Sequence, residues 1–131
     1  MTGYIADTSV FVAAEQRRAL GSPPGGSALV SVATITELRL GVLRAQTEGL
    51  RALRETTLAR ASSFIALVYD ERVAERLAEL LAAARESGRR AGAMDAIIAA
   101  TAVVHGLVVW TQDEDFDVLA ALAPELRVQR G

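Results

Sequence analysis

Short apolar runs that stop abruptly at a polar residue, each followed by helical periodicity, constrain this chain more than any other feature. Tyr4-Ile5-Ala6 stops at Asp7, and Ala28-Leu29-Val30 stops at Ser31. Phe64-Ile65-Ala66-Leu67-Val68 ends just before Asp70, and Leu107-Val108-Val109-Trp110 ends at Thr111-Gln112-Asp113. Apolar runs this short, bounded by cap and turn residues, read as strands buried on both faces. Between them lie helices. One runs from about Val10 to Gln16, with Thr8 and Ser9 as caps. A second carries Val32, Ile35, Leu38 and Val42 as one apolar stripe behind Ser31. A third spans Glu48 to about Ala61 with Leu50, Leu53 and Leu58, and a fourth follows Asp70 with Val73, Leu77, Leu80 and Leu81. A fifth runs from Met94 to His105 and stops at Gly106, a residue type suited to a C-cap. A short one, Val118 to Leu122, is capped by Asp117 and closed by Pro124, before a last edge strand at Leu126-Arg127-Val128. Strands alternating with helices imply a parallel sheet covered on both sides. The expected fold is α/β, a three-layer α/β/α domain around a central parallel sheet of four or five short strands. The Gly21-Ser22-Pro23-Pro24-Gly25-Gly26 stretch is too short and too near the start to act as an interdomain linker, so residues 1–131 are read as one domain.

What the chain lacks narrows its chemistry. It has no Cys, one His (His105) and no Lys, so all 14 basic residues are Arg. That excludes a disulfide framework, a thiolate nucleophile, a zinc knuckle and a lysine Schiff base. One His cannot build a multi-His metal site. Carboxylates, hydroxyls, Arg and backbone groups remain. The net charge of −2 predicts no broad basic footprint, though a local Arg patch can still hold phosphates. The start lacks a basic segment, an acid interrupts it at Asp7, and no stretch is apolar for long enough to span a bilayer. The expectation is a cytoplasmic protein without membrane contact.

The carboxylates are distributed unevenly. Five of the six Asp residues (Asp7, Asp95, Asp113, Asp115 and Asp117, with Asp70 apart) fall in three places near predicted strand ends or helix starts. In open parallel sheets the binding crevice lies beyond the carboxyl ends of the strands. Taken singly, each acid has a plainer role. Asp7 can cap a helix, Asp95 can favour a helix N-terminus, Glu37 can sit on a solvated face, and Asp113 to Asp117 can form an acidic loop. Taken together they shift the balance. Asp95 shares its helix face with Ala99 and Ala102, and Glu37 has Gly41 one turn on, so both faces can pack closely. A buried, unpaired charge is costly. Clustered carboxylates without His or Cys suit hard divalent ions such as Mg²⁺ or Mn²⁺.

Three segments together resemble a known family. They are Ile5-Ala6-Asp7-Thr8-Ser9-Val10, then Ile35-Thr36-Glu37-Leu38-Arg39-Leu40-Gly41-Val42, and Met94-Asp95-Ala96-Ile97-Ile98-Ala99-Ala100-Thr101-Ala102 through Gly106 to Thr111-Gln112-Asp113-Glu114-Asp115-Phe116. In order and spacing they resemble the PIN-domain ribonucleases, specifically the VapC-type toxins of VapBC toxin–antitoxin pairs. The resemblance implies a metal-dependent endoribonuclease that hydrolyses RNA phosphodiesters with Mg²⁺ or Mn²⁺. It puts the catalytic acids on Asp7, Glu37, Asp95 and Asp113, and metal ligation on Asp7, Asp95, Asp113 and Asp115. It also implies a VapB-like antitoxin as partner and a homodimer. Thr8, Ser9 and Thr111 are candidates to orient these carboxylates, as readily as they are ordinary caps. Arg17, Arg18, Arg89 and Arg90, paired near the predicted rim, are candidate RNA phosphate contacts, as readily as they are a solvated surface. Trp110 is bulkier than expected on the strand before the fourth acid.

Three other readings compete. A receiver-type phosphoacceptor also sets an Asp beside Mg²⁺ at a sheet rim, but it relies on a Lys that this chain lacks. A non-catalytic interaction module sits poorly with an intact acid set. A PIN nuclease of RNA maturation, outside any toxin pair, is the closest alternative, and the short chain favours the toxin.

Overall fold

A computed structural model describes residues 2–131. In chain order the elements are β1 (Gly3–Ala6), α1 (Thr8–Glu15), β2 (Ser27–Ser31), α2 (Val32–Arg44), α3 (Glu48–Ser62) and β3 (Ile65–Leu67). Then follow α4 (Glu71–Glu86), α5 (Ala93–His105), β4 (Val108–Thr111), α6 (Asp115–Leu122) and β5 (Arg127–Arg130). The five strands form one parallel sheet in the order β3-β2-β1-β4-β5. Ile5 sits opposite Leu29 on one side and Val109 on the other.

Alternation along the central strands sends successive side chains into two cores. Ile5, Leu29 and Val109 join the larger one, with Val73, Leu77 and Leu80 of α4, Ile98 and Ala99 of α5, and Phe116 and Leu119 of α6. Ala6, Val30 and Trp110 point the other way, onto Val10 and Phe11 of α1, Leu38 of α2 and Ala61 of α3. The architecture is therefore three-layered, α/β/α. Each fully buried Ile or Leu contributes roughly 1.5–3 kcal/mol.

Caps explain most helix boundaries. Ser31 accepts from the Ala33 N–H, Thr47 from Leu50 and Asp70 from Val73. Gly106 closes α5 at φ 65°, where a side chain would be strained. Four details depart from expectation. Helix α1 begins at Thr8 rather than Val10, because Asp7 is its N-cap and Thr8 and Ser9 occupy the first turn. Helix α6 begins at Asp115, so Asp117 lies inside its first turn and pairs with Arg130 instead of capping. In α3 the fully buried residues are Thr57 and Ala61; of the predicted stripe Leu58 packs half-buried against the core and Leu53 is exposed. Strand β3 forms a sheet edge, with Ile65 71% exposed, because only β2 flanks it. Among the described residues no helix is long and apolar enough to cross a membrane.

The order of the strands decides where a site can form. From β1 the chain works outward through β2 to β3, then returns across the sheet to place β4 on the other flank of β1. Connections leaving β1 and β4 therefore diverge, and the crevice between their carboxyl ends is where ligands settle in open α/β sheets. Asp7 follows β1, and Gln112 and Asp113 follow β4.

Candidate metal centre at the sheet rim

The crevice is built on a hydrogen-bonded frame. The Asp7 N–H donates to the Trp110 carbonyl at 2.9 Å, which extends the β1–β4 ladder by one residue. The Asp7 side chain is 2% exposed, and its Oδ2 accepts from the Ser9 amide (3.3 Å), the Ser9 hydroxyl (2.7 Å) and the Thr111 hydroxyl (2.9 Å). Three donors on one oxygen make the burial tolerable, since an unpaired charge there would be costly. Oδ1 takes no hydrogen bond from any described residue.

Thr111 also links the first acid to the fourth. While donating to Asp7, its Oγ1 accepts from the Asp113 N–H at 2.9 Å, and Asp113 Oδ1 in turn accepts from the Asp115 N–H at 2.9 Å. Asp115 is thereby folded back beside Asp113. One oxygen each from Asp95, Asp113 and Asp115 lies within 4.8 Å of the others. Asp95, the third residue of α5, leaves the capping position to Gly92, and its Oδ2 lies 3.8 Å from where a Gly92 Cβ would stand.

Glu37 approaches from α2. The Thr8 hydroxyl lies 2.6 Å from Glu37 Oε1 and 3.0 Å from the Thr34 hydroxyl. The space expected beside Gly41 is taken by Arg54, which passes over it and donates to its carbonyl at 2.7 Å.

The charges in this crevice are unbalanced. Burial pushes the Asp95 carboxyl up to about 7, and the charges of Asp7, Asp113, Glu37 and Asp115 push in the same direction. Burial raises Glu37 as well, with Asp7 and Asp113 adding to it and the Thr8 hydroxyl opposing. Burial raises Asp7 against the Ser9 and Thr111 hydrogen bonds. None of the five acids forms an ion pair among the described residues, where the pairs are Arg76 with Glu79 and Glu125, and Arg130 with Asp117. An all-oxygen donor set of like charges, held together by the fold and lacking a counter-ion, fits a hard divalent cation.

Of the four Arg candidates, Arg17 and Arg18 follow α1, and Arg89 and Arg90 follow α4. All four are exposed. Arg17 adopts φ 56°. Arg18 is held by two amides, donating to Gln16 Oε1 at 3.1 Å and Gln112 Oε1 at 3.2 Å.

Two residues of this frame are not apparent from the sequence. Gln112 donates its N–H to Ser9 Oγ and its Nε2 to the carbonyls of Ala19 and Gly131, besides holding Arg18. Nothing in its spacing marks it. Thr34 does carry a signal, because it lies three residues before Glu37 on the same helix face and is fully buried. Beside Thr8 and Glu37, a groove of about 310 Å³ opens between α1, α2 and α3, with Val12, Leu38 and Leu40 among its lining.

The PIN domain family model matches residues 4–122. Ribonuclease VapC4 of Mycobacterium tuberculosis is 41% identical over 125 residues, spanning 95% of this chain and 93% of that protein. Ribonuclease VapC5 of the same organism is 41% identical over 121 residues, spanning 91% and 89%. Among solved structures, a member of the VapBC family of toxin–antitoxin systems, VapBC-5 from Mycobacterium tuberculosis, superposes with a TM-score of 0.83 at 36% identity, covering 98% of each chain.

Proposed function

This chain belongs to the PIN domain family, and on that footing we propose that it is a metal-dependent endoribonuclease, the toxin of a VapBC-type toxin–antitoxin pair. The observation that carries the proposal is the convergence of Asp95, Asp113 and Asp115 within 4.8 Å at the β1–β4 crevice, beside Asp7 and Glu37 and without an ion-pair partner among the described residues. Two relatives spanning most of this chain are named ribonucleases, which supports RNA as the substrate.

Asp95, Asp113 and Asp115 are the residues assigned to hold Mg²⁺ or Mn²⁺, with Asp7 contributing its uncommitted Oδ1. Such an ion, once bound, neutralises phosphate charge and makes water a better nucleophile near neutral pH. Glu37, raised by burial and by its acidic neighbours, is a stronger base than an ordinary carboxylate and is suited to take the proton of the attacking water. Thr8 fixes the Glu37 carboxylate, and Ser9 and Thr111 fix that of Asp7, so the acids are oriented before substrate arrives. Arg17, Arg18, Arg89 and Arg90 are assigned to RNA phosphates.

The partner is a VapB-like antitoxin. An amphipathic segment laid in the groove of α1, α2 and α3 would rest on Leu40 and reach Thr8 and Glu37, stopping access to the acids. A homodimer acting in the cytoplasm as one domain completes the proposal.

The test is cleavage of RNA by purified protein. Activity should appear with Mg²⁺ or Mn²⁺, disappear with EDTA, and be absent in Asp7→Asn and Asp95→Asn. Full activity in the double variant would remove the site assignment. Coexpression with a cognate VapB-like antitoxin should suppress the activity.

A further inference from the structure

The distribution of unpartnered arginines points to a second feature beside the acidic crevice. Arg18, Arg54, Arg72, Arg76, Arg127 and Arg130 are each committed to a side-chain or carbonyl partner. Among the described residues the other arginines make no side-chain hydrogen bond or ion pair. Three of those, Arg85, Arg89 and Arg90, line a single open cleft of about 850 Å³. It lies between the last turn of α4 and the segment entering α5. Its apolar lining includes Leu81, which is exposed, Ala91, half-buried, and Ala84, buried. The cleft and the acids are close in the chain: Ala91 lines the cleft, and the next residue, Gly92, sits against the Asp95 carboxylate.

Three arginines set against a single acid, Glu86, leave the cleft net positive, so it gains from an anion. Guanidinium groups grip phosphate through paired N–H donors and also stack on bases. An apolar lining beside a cationic rim suits a nucleotide, with sugar or base against Leu81 and Ala91 and phosphate at the rim.

We propose that this cleft binds the single-stranded RNA backbone next to the scissile bond, with Arg85, Arg89 and Arg90 as phosphate contacts. The proposal rests on the ribonuclease reading and extends it, adding Arg85 and a defined path away from the acids. Glu86 also lines the cleft and opposes phosphate there, so charge should act on binding in both directions.

The experiment uses a fluorescent single-stranded RNA oligonucleotide carrying a site that the wild-type protein cleaves. Affinity is measured in EDTA over a range of salt, and kcat and KM are measured with Mg²⁺ or Mn²⁺. The Arg85→Ala/Arg89→Ala/Arg90→Ala variant should weaken binding by roughly tenfold or more and raise KM to match, with kcat within about twofold of wild type. Its salt slope should flatten by about 0.7 for each phosphate left without its arginine. Glu86→Gln should bind more tightly, about twofold, an outcome that damage to the fold would not give. Arg51→Ala, on exposed α3, is the control and should behave as wild type. Unchanged affinity, KM and salt slope in the triple variant, in a protein that still cuts RNA, would overturn the cleft alone. Wild-type protein that neither binds nor cuts any RNA in the screen from which that oligonucleotide is chosen would overturn the ribonuclease reading, and the cleft with it.

Discussion

The Thr8 hydroxyl stands 2.6 Å from Glu37 Oε1, a bond across 29 residues that ties the first turn of α1 to α2 at the acidic rim. It acts against the forces on Glu37. Burial and the charges of Asp7 and Asp113 raise the Glu37 pKa, and this bond lowers it. Thr8→Val removes the opposing influence, so Glu37 titrates higher still. If Glu37 must be ionised for cleavage, the acid limb of the pH–rate profile moves to higher pH. Activity on the acid side of the profile should drop by roughly tenfold, as expected for loss of one hydrogen bond to a charged group, and most of it should return as the pH is raised past the displaced limb. An equal loss at every pH, with the limb unmoved, would count against this role for the bond.

Asp95 sets a second pH dependence, in stability. Its carboxyl is raised from 3.8 to about 7, first by burial and then by four neighbouring acids. Between those values the metal-free folded chain holds a proton that the unfolded chain has released. Stability therefore falls as pH rises from about 4 to about 7 and levels off above that. Asp95→Asn removes this slope. In EDTA at pH 8 the variant should melt a few degrees above wild type, and the difference should vanish near pH 4. Adding Mn²⁺ at pH 8 should raise the melting temperature of wild type and leave the variant nearly unmoved. Calorimetry across that range checks both, and identical pH profiles in EDTA would contradict the assignment.

Much of this is legible in the sequence because it depends on local rules. Run length and stop residues locate the central strands, and Ser31, Asp70 and Gly106 mark helix ends that cap geometry confirms. The juxtaposition of the β1 and β4 ends follows from strand order, which turns widely separated Asp7 and Asp113 into neighbours through Thr111. What stays hidden is non-local or degenerate. By sequence Asp7, Thr8 and Ser9 are all possible caps, and only the fold shows that Asp7 caps the helix while the two hydroxyls bond to the acids. Cap preference alone does not choose among three adjacent candidates. The leucines of α3 have helical spacing, but Leu53 is exposed and Leu58 only half-buried, while the smaller Thr57 and Ala61 are the residues fully buried. Gly3 gives no sign of its role: a Cβ there would stand 2.3 Å from the Ser27 carbonyl oxygen, a fact of β1–β2 packing alone.

Gln112 has no local signature, yet its amide spends every polar atom on tethering. It binds the segment after α1 through Arg18 and Ala19, and it holds Gly131, whose carbonyl also accepts from the Gly21 N–H at 2.9 Å. Gln112→Ala should cost about 1–2 kcal/mol, small because these bonds are partly exposed. The consequence should be local. Amide exchange at Gly21 should quicken, while the backbone bond from Gln112 to Ser9 survives and leaves the Asp7 frame intact. Metal affinity should therefore match wild type, as titration calorimetry with Mn²⁺ would report. Weaker metal binding would place the side chain in the centre itself rather than in the clasp around it.

Trp110 poses the opposite problem, a large side chain with one unmet need. Its ring stands edge-on to Tyr4 with centroids 5.7 Å apart, and it belongs to the core beneath α1. Its Nε1 is the one buried side-chain polar atom without a hydrogen-bond partner among the described residues. A buried, unsatisfied donor costs about 1–3 kcal/mol. Trp110→Phe removes that donor and keeps an aromatic edge for Tyr4, while giving up some packed volume. The two effects are of similar size and opposite sign, so stability by circular dichroism should change by less than about 1 kcal/mol. Trp110→Ala gains the same relief but empties the site, and should cost about 3–5 kcal/mol. Neither substitution alters the backbone carbonyl that receives the Asp7 N–H. Trp110→Phe should therefore keep its metal affinity, and a large loss of stability in that variant would mean that the indole N–H has a partner after all.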